Sequence, residues 1–270
     1  MDRYVKSNVE DWTKVGARVV QVDSTNDSLR EQVQAFAKTG HVLPEGYSLR
    51  ADYQSAGKGR LGRVWDANPG ENLLVSYLLR SPGLRPDQLF LLLQNIAIAV
   101  RDTIEAFAFQ QEVKVKWPND ILIDDKKVAG ILIESMLMGD EISCIIVGIG
   151  INVNQAVFDD GVNATSLALS FGGSVSIEEV ATTLTRKLQI AQEHLRSLTR
   201  TGDVYSLQQQ YHSHLFGFRE WLVFQDLKTK EELFGKVIGV LPSGELRLEQ
   251  NGEERHYSLD DIRFIRKNDR

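Results

Sequence analysis

Gly57-Lys58-Gly59-Arg60-Leu61-Gly62-Arg63, followed at once by Val64-Trp65, places three glycines and three cations within seven residues. No acid stands between Tyr53 and Trp65. The whole chain is acidic, with 31 Lys and Arg against 37 Asp and Glu and a net charge of −6, so this local positive excess is not background. Glycine lets a backbone adopt φ > 0 and come close to a ligand. Cations on such a loop suit phosphates or carboxylates, and arginine adds a two-pronged fork. The composition points to an anionic small molecule, against the plainer reading of a solvated hairpin with a few basic residues.

Outward from this loop, regular elements are expected on both sides. Upstream, Ala17 to Asp23 reads as a strand, Ser24-Thr25-Asn26-Asp27 caps a helix through Lys38, and Tyr47 to Gln54 is a second strand feeding the loop. Downstream, Asn72 to Arg80 is strand-like, and Pro86-Asp87 opens a largely apolar helix through about Phe107. Val113 to Trp117 is a strand stopped by Pro118, which disfavours helix at the preceding residue and leads into an Asn119-Asp120 turn. Ile121 to Ile123 and Val128 to Met138 flank a polar turn, Asp124-Asp125-Lys126-Lys127. Ile142 to Val153 is continuous enough in Ile and Val to be covered on both faces.

Two helices follow. Ser176-Ile177-Glu178-Glu179 forms a capping box for the first, which runs to about Leu198; the second spans Tyr205 to Leu215. Gln155 to Asn163 reads as loop, and Thr165-Ser166-Leu167 has the composition of a helix cap. From Arg219 short strands alternate with compact turns, Pro242-Ser243-Gly244 and Asn251-Gly252 among them, the latter a type I′ hairpin signal. The expectation is an α+β protein: a mixed sheet flanked by helices over residues 1–217, then a small β-barrel over 218–270.

Several function classes are excluded by composition. A single cysteine, Cys144, inside the apolar run Ile142 to Ile151, leaves no disulfide framework or cysteine zinc site and reads as a buried strand residue. The start, Met1-Asp2-Arg3-Tyr4, lacks the apolar core of a signal peptide. The longest uncharged stretch of the most hydrophobic region, Gln88 to Val100, has 13 residues, too few to span a bilayer. A cytoplasmic protein with no membrane contact is expected. The acidic balance argues against general nucleic-acid affinity.

Five segments in order carry a family resemblance: Ser24-Thr25-Asn26, the loop Gly57 to Trp65, Lys116-Trp117-Pro118-Asn119-Asp120, Lys127-Val128-Ala129-Gly130-Ile131-Leu132, and Gly148-Ile149-Gly150-Ile151-Asn152. Together they resemble the biotin protein ligases, tightly from about Val15 to Asn154 and more loosely to the C-terminus, where the family has an SH3-like domain. The resemblance implies a biotin/lipoate ligase-like catalytic domain that activates biotin with ATP and Mg2+ to biotinyl-5′-AMP. The biotinyl group then passes to one lysine of a biotin carboxyl carrier protein or domain.

The same resemblance implies residue roles. Lys127, Arg60, Lys116 and Asp120 are the catalytic set, with Lys127 beside the reacting carboxylate and α-phosphate. For Asp120 three roles stay open: orienting Lys116, acting as base toward the incoming amine, or finishing the turn. Ser24, Thr25, Asn26, Gln54, Lys58, Gly59, Arg60 and Lys127 match the biotin site. Arg60, Arg63, Trp65, Lys116, Asn119 and Asn152 match the ATP or adenylate site, Trp65 offering a flat face for adenine. No protein metal motif is implied, Mg2+ riding on the ATP phosphates. Physical chemistry fits: ATP and the biotin carboxylate are both anions, and fixed cations offset their repulsion.

Two features depart from the family pattern. Lys58 stands for the usual arginine, keeping charge but losing the fork. The Ser-Thr-Asn motif begins at residue 24, which is expected to leave no room for the N-terminal DNA-binding domain of some bacterial members, hence a monofunctional enzyme without nucleic acid as partner. Lipoate–protein ligase shares the fold and the acyl-adenylate logic and is the alternative enzyme. A non-catalytic biotin or adenylate regulator is the alternative from another class. A homodimer is left open.

Overall fold

Alternation along residues 144–151, Cys-Ile-Ile-Val-Gly-Ile-Gly-Ile, decides how the main sheet is covered. Ile145, Val147, Ile149 and Ile151 point into the larger core, whereas Cys144 and Ile146 join a smaller one on the opposite face. The computed structural model describes residues 11–80, 84, 88–108, 110–138 and 141–265, with backbone alone for 137, 138 and 141–143. The expected helix start Pro86-Asp87 lies outside the described residues.

Seven strands form the main sheet: β1 (Gly16–Val22), β2 (Ser48–Gln54), β3 (Leu73–Leu79), β4 (Val113–Lys116), β5 (Asp120–Ile123), β6 (Lys126–Met138) and β7 (Glu141–Ile151). Their order is β1-β2-β3-β7-β6-β5-β4, with β1 and β2 parallel and the other pairs antiparallel. The sheet is therefore mixed, as expected. Helix α1 (Thr25–Lys38) covers one face through Leu29, against Leu49 and Leu78. Helices α2 (Leu89–Glu105) and α4 (Ile177–Thr201) pack together on the other face, in the core that Val75, Tyr77 and Val147 of β3 and β7 also enter. Between β7 and α4 lies the short α3 (Leu167–Phe171), capped by Ser166, whose hydroxyl accepts from Leu169 N at 3.3 Å.

Helix α5 (Tyr205–Ser213) ends two residues earlier than its composition suggests. The reason is tertiary: His214 O accepts from Val115 N and Phe216 N donates to Val115 O, both at 2.8 Å, so the chain leaves the helix to cover the edge of β4. The turn before β6 is also shorter than expected. Only Asp124 and Asp125 form it, at φ 45° and 65°, and Lys126 and Lys127 already belong to the strand. A two-residue hairpin turn of type I′ requires φ > 0 at both positions, which aspartate tolerates better than lysine.

The second sheet contains β8 (Trp221–Asp226), β9 (Glu232–Val240), β10 (Leu246–Gln250), β11 (Glu253–Tyr257) and β12 (Ile262–Phe264), in the order β11-β10-β9-β8-β12 and wholly antiparallel. It has the form of an SH3-like unit. Asn251 and Gly252 take φ 53° and 82° at its hairpin, as the dipeptide predicts. Among the described residues, no helix is long and apolar enough to cross a membrane.

Candidate active site

The face of the sheet that carries α1 also carries the site. Its floor is made by glycines that alternate with core isoleucines. A Cβ on Gly148 would stand 2.3 Å from Asn26 Oδ1, and one on Gly150 2.4 Å from Trp65 Cε2. Gly130 of β6 is the register partner of Gly150, and a Cβ there would stand 2.8 Å from the same indole. Two facing glycines thus leave a slot across the strands, and Trp65 lies in it. The indole nitrogen of Trp65 is buried with no hydrogen-bond partner among the described residues.

One wall is polar and comes from the start of α1. Ser24 is the N-cap, its hydroxyl accepting from Asp27 N at 3.5 Å. The next residue, Thr25, donates from its backbone N (2.7 Å) and its hydroxyl (2.9 Å) to Gln54 Oε1 at the end of β2. Ser76 of β3 lies 2.7 Å from Thr25 Oγ1 and donates to Asn26 Oδ1 at 2.6 Å. Asn26 Nδ2 donates to Glu134 of β6 at 2.7 Å. Ser24, Thr25, Asn26 and Gln54 all line one cavity of about 780 Å³.

The cations of the glycine-rich loop and of two distant strands face that same cavity. Lys58, Arg60, Arg63, Lys116 and Lys127 all line it, as do Gly59 and Asn119. Lys127 Nζ is 2.7 Å from Asp120 Oδ1 and 5.2 Å from the centre of the Trp65 ring. Asp120 is the cross-strand partner of Lys116, yet its carboxylate pairs with Lys127. Lys116 Nζ lies 5.3 Å from the centre of the Phe264 ring. Burial holds the Arg60 guanidinium below its ordinary pKa, with Asp260 and Asp120 opposing and Arg63 adding to the shift. Asn119 donates from Nδ2 to Ile131 O at 2.7 Å, tying the turn to β6.

Lys58 lines the cavity as expected but also meets a carboxylate of α1, and Asn152 is placed differently. Lys58 is held by Asp27, 2.5 Å from its carboxylate, so α1 takes up charge that the sequence assigns to a ligand. Asn152 is 4% exposed and does not line the cavity; its Nδ2 donates to Thr165 O at 3.0 Å, closing the end of β7. The reason is register: Asn152 sits one residue past the strand, where its amide meets the backbone entering α3.

Sequence reasoning missed other parts of the site. Gln225, Glu232, Arg263 and Phe264 bring the second sheet to the cavity as a far wall. Trp117 fastens that sheet, donating from Nε1 to Gly244 O at 2.8 Å. Ser76 and Glu134 carried no motif, and only their positions on the glycine-bearing face mark them. Among the described residues, no three His, Cys, Asp or Glu side chains gather in a set fit to hold a metal ion.

Residues 20–152 match the Biotin/lipoate A/B protein ligase family. The bifunctional ligase/repressor BirA of Bacillus spizizenii is 34% identical over 241 residues, spanning 86% of this chain and 72% of that protein. The biotin–protein ligase of Homo sapiens is 36% identical over 118 residues, 41% of this chain and 16% of that one. Among solved structures, the biotin protein ligase from Aquifex aeolicus in complex with biotin and ATP has a TM-score of 0.75 at 25% identity, covering 94% of this chain and all of that one (100%). With this sheet, this cavity and these relatives, the chain belongs to the biotin/lipoate A/B protein ligase family.

Proposed function

We propose that this protein is a biotin–protein ligase: it joins biotin to ATP as biotinyl-5′-AMP and passes the biotinyl group to a lysine of a biotin carboxyl carrier protein. The observation that carries this reading is the convergence of Arg60, Arg63, Lys116 and Lys127, from three separate segments, on the cavity that Ser24, Thr25, Asn26 and Gln54 also line. In the first step a biotin carboxylate oxygen attacks the α-phosphorus and pyrophosphate leaves. In the second the lysine amine attacks the acyl carbon and loses a proton, and AMP departs with the bridging oxygen. Both steps gather negative charge at one place, and fixed cations in a half-buried cavity offset it without reorganising.

The polar wall favours biotin over lipoate. Hydroxyl and amide groups pair with a cyclic urea, which both donates and accepts, whereas a dithiolane leaves them unmatched. Lys127, between Asp120 and Trp65, is assigned to the carboxylate and α-phosphate, with Arg60 and Lys116 on the phosphates. Asp120 holds Lys127 in place. ATP enters as its magnesium complex, Mg2+ being carried by the phosphates. In this reading residues 1–217 form the catalytic domain and residues 218–270 an appended SH3-like domain that completes the nucleotide wall, and the cytoplasm is the site of action.

The test is intact-mass spectrometry of a carrier domain incubated with this protein, biotin and MgATP. The expected result is one added biotinyl group on a single lysine. A carrier that remains unmodified with biotin, or gains a lipoyl group instead when lipoate is supplied, overturns the reading.

A further inference from the structure

Glu134 divides its carboxylate between two partners. Oε1 takes the Arg30 guanidinium at 2.7 Å and Oε2 takes Asn26 Nδ2 at 2.7 Å. Arg30 also holds Asp27 at 2.8 Å, and Asp27 holds Lys58 at 2.5 Å. Charges alternate along this chain from the glycine-rich loop to β6, so Glu134 stands in a balanced network, and its uncharged partner is Asn26.

That partner has a choice to make. The two ends of an asparagine amide are alike in shape and opposite in hydrogen bonding, one accepting and one donating. Gly148 clamps the amide closely, since a Cβ there would lie 2.3 Å from Oδ1, but shape does not distinguish the ends. Ser76, at the other end of the amide, is a hydroxyl and satisfies either seating by donating to oxygen or accepting from nitrogen. Glu134 breaks the tie. A carboxylate only accepts, so the amide must turn its NH2 to Glu134 and its oxygen to Ser76. Among the described residues only Glu134 accepts from that NH2, which leaves one N–H of Asn26 for a ligand in the cavity it lines.

We propose that Glu134 is a positioning residue: held by Arg30, it sets the hydrogen-bonding sense of Asn26, so that the pocket donates to a carbonyl oxygen and disfavours a ligand presenting a donor there. The inference rests on the biotin reading above and adds a determinant of specificity outside the residues that touch the ligand.

The test uses the full chain and isothermal titration calorimetry at neutral pH, with biotin and with its 2-imino analogue, in which a protonated nitrogen replaces the ureido oxygen. Wild type is expected to prefer biotin. In Glu134→Gln the new amide can face Asn26 with oxygen or nitrogen, so the reversed seating becomes available and the preference falls by about tenfold, the scale of one hydrogen bond to a charged group. KM for ATP in pyrophosphate exchange stays within about twofold, because the nucleotide contacts are elsewhere. A Glu134→Gln variant that binds both ligands more weakly but keeps the wild-type preference overturns the proposal, since that is what mere loosening gives. Should Glu134→Gln not fold, Glu134→Ala removes the acceptor altogether and must also lower the preference; an undiminished preference in that folded variant overturns it equally. A wild-type protein that binds no biotin removes the functional reading as well, which separates the two failures.

Discussion

Lys127 is pinned on its backbone before its side chain does anything. Its N–H donates to Asn163 O at 3.0 Å and its carbonyl accepts from Thr165 N at 2.9 Å, so the segment after β7 holds it in place. The ammonium then rests between the Asp120 carboxylate and the Trp65 ring. Lys127→Ala is expected to lower biotin-dependent pyrophosphate exchange more than tenfold, about 1.4 kcal/mol in the barrier, with the circular dichroism spectrum unchanged. The lost ion pair is partly exposed and costs at most about 1 kcal/mol of stability. Exchange close to the wild-type rate would remove Lys127 from the chemistry. The cations were readable in the sequence because lysines and arginines beside glycine, a proline turn and a buried strand have few other reasons to cluster. The pairing of Lys58 was not, because its partner Asp27 is 31 residues earlier and acquires meaning only once α1 is docked.

At the level of the element, the glycine-rich loop is a narrow hairpin rather than a bare tether. Gly59 N donates to Arg63 O at 2.7 Å, Arg63 N to Arg60 O at 3.1 Å, and Trp65 N to Gly57 O at 2.9 Å. Leu61, exposed at its tip, takes φ 55°, a conformation uncommon outside glycine. Under the proposed function, this hairpin closed over the adenylate would shield a mixed anhydride from water. Arg60→Gly is therefore expected to form adenylate still but to release it faster, by roughly tenfold or more for the loss of a charge-assisted contact, measured as dissociation of labelled adenylate. Release at the wild-type rate would deny the loop that role. The longer elements were legible from apolar runs and caps, as in the continuous Ile and Val of β7 and the Ser176 cap of α4. Of the two shortest, α3 was legible only at its Ser166 cap and β12 not at all: five and three residues carry too little periodicity.

At the scale of the molecule, His212 joins α5 to the second sheet. Its Nε2 accepts from Val240 N at 2.9 Å, and its ring stacks on Phe218 at 5.5 Å. Burial pushes its pKa below the ordinary 6.5, with the Val240 carbonyl, 3.2 Å from Nε2, opposing and Arg247 adding. Burial lowers His214 likewise, Arg101 adding while Asp102 and Glu105 oppose. The folded state thus binds these protons less readily than the unfolded chain, and stability is lost as pH falls from about 6.5 toward the depressed values. Glu254 and Asp261, each held at about 2 by its partners, act only below their ordinary values of 4.5 and 3.8. The melting temperature is expected to fall between about pH 7 and pH 5, and His212→Asn to flatten that fall. An equal slope in both proteins would place the titration elsewhere.

The Trp117 indole gives its N–H to Gly244, in a turn fitted so closely against α2 that a Cβ there would lie 2.8 Å from Phe90. The C-terminal sheet is accordingly no detachable cassette. Removing it would strand a donor in the interior beside Lys116, and a tail grafted from a relative would have to present a carbonyl at the same spot before the neighbouring lysine could be aimed at anything.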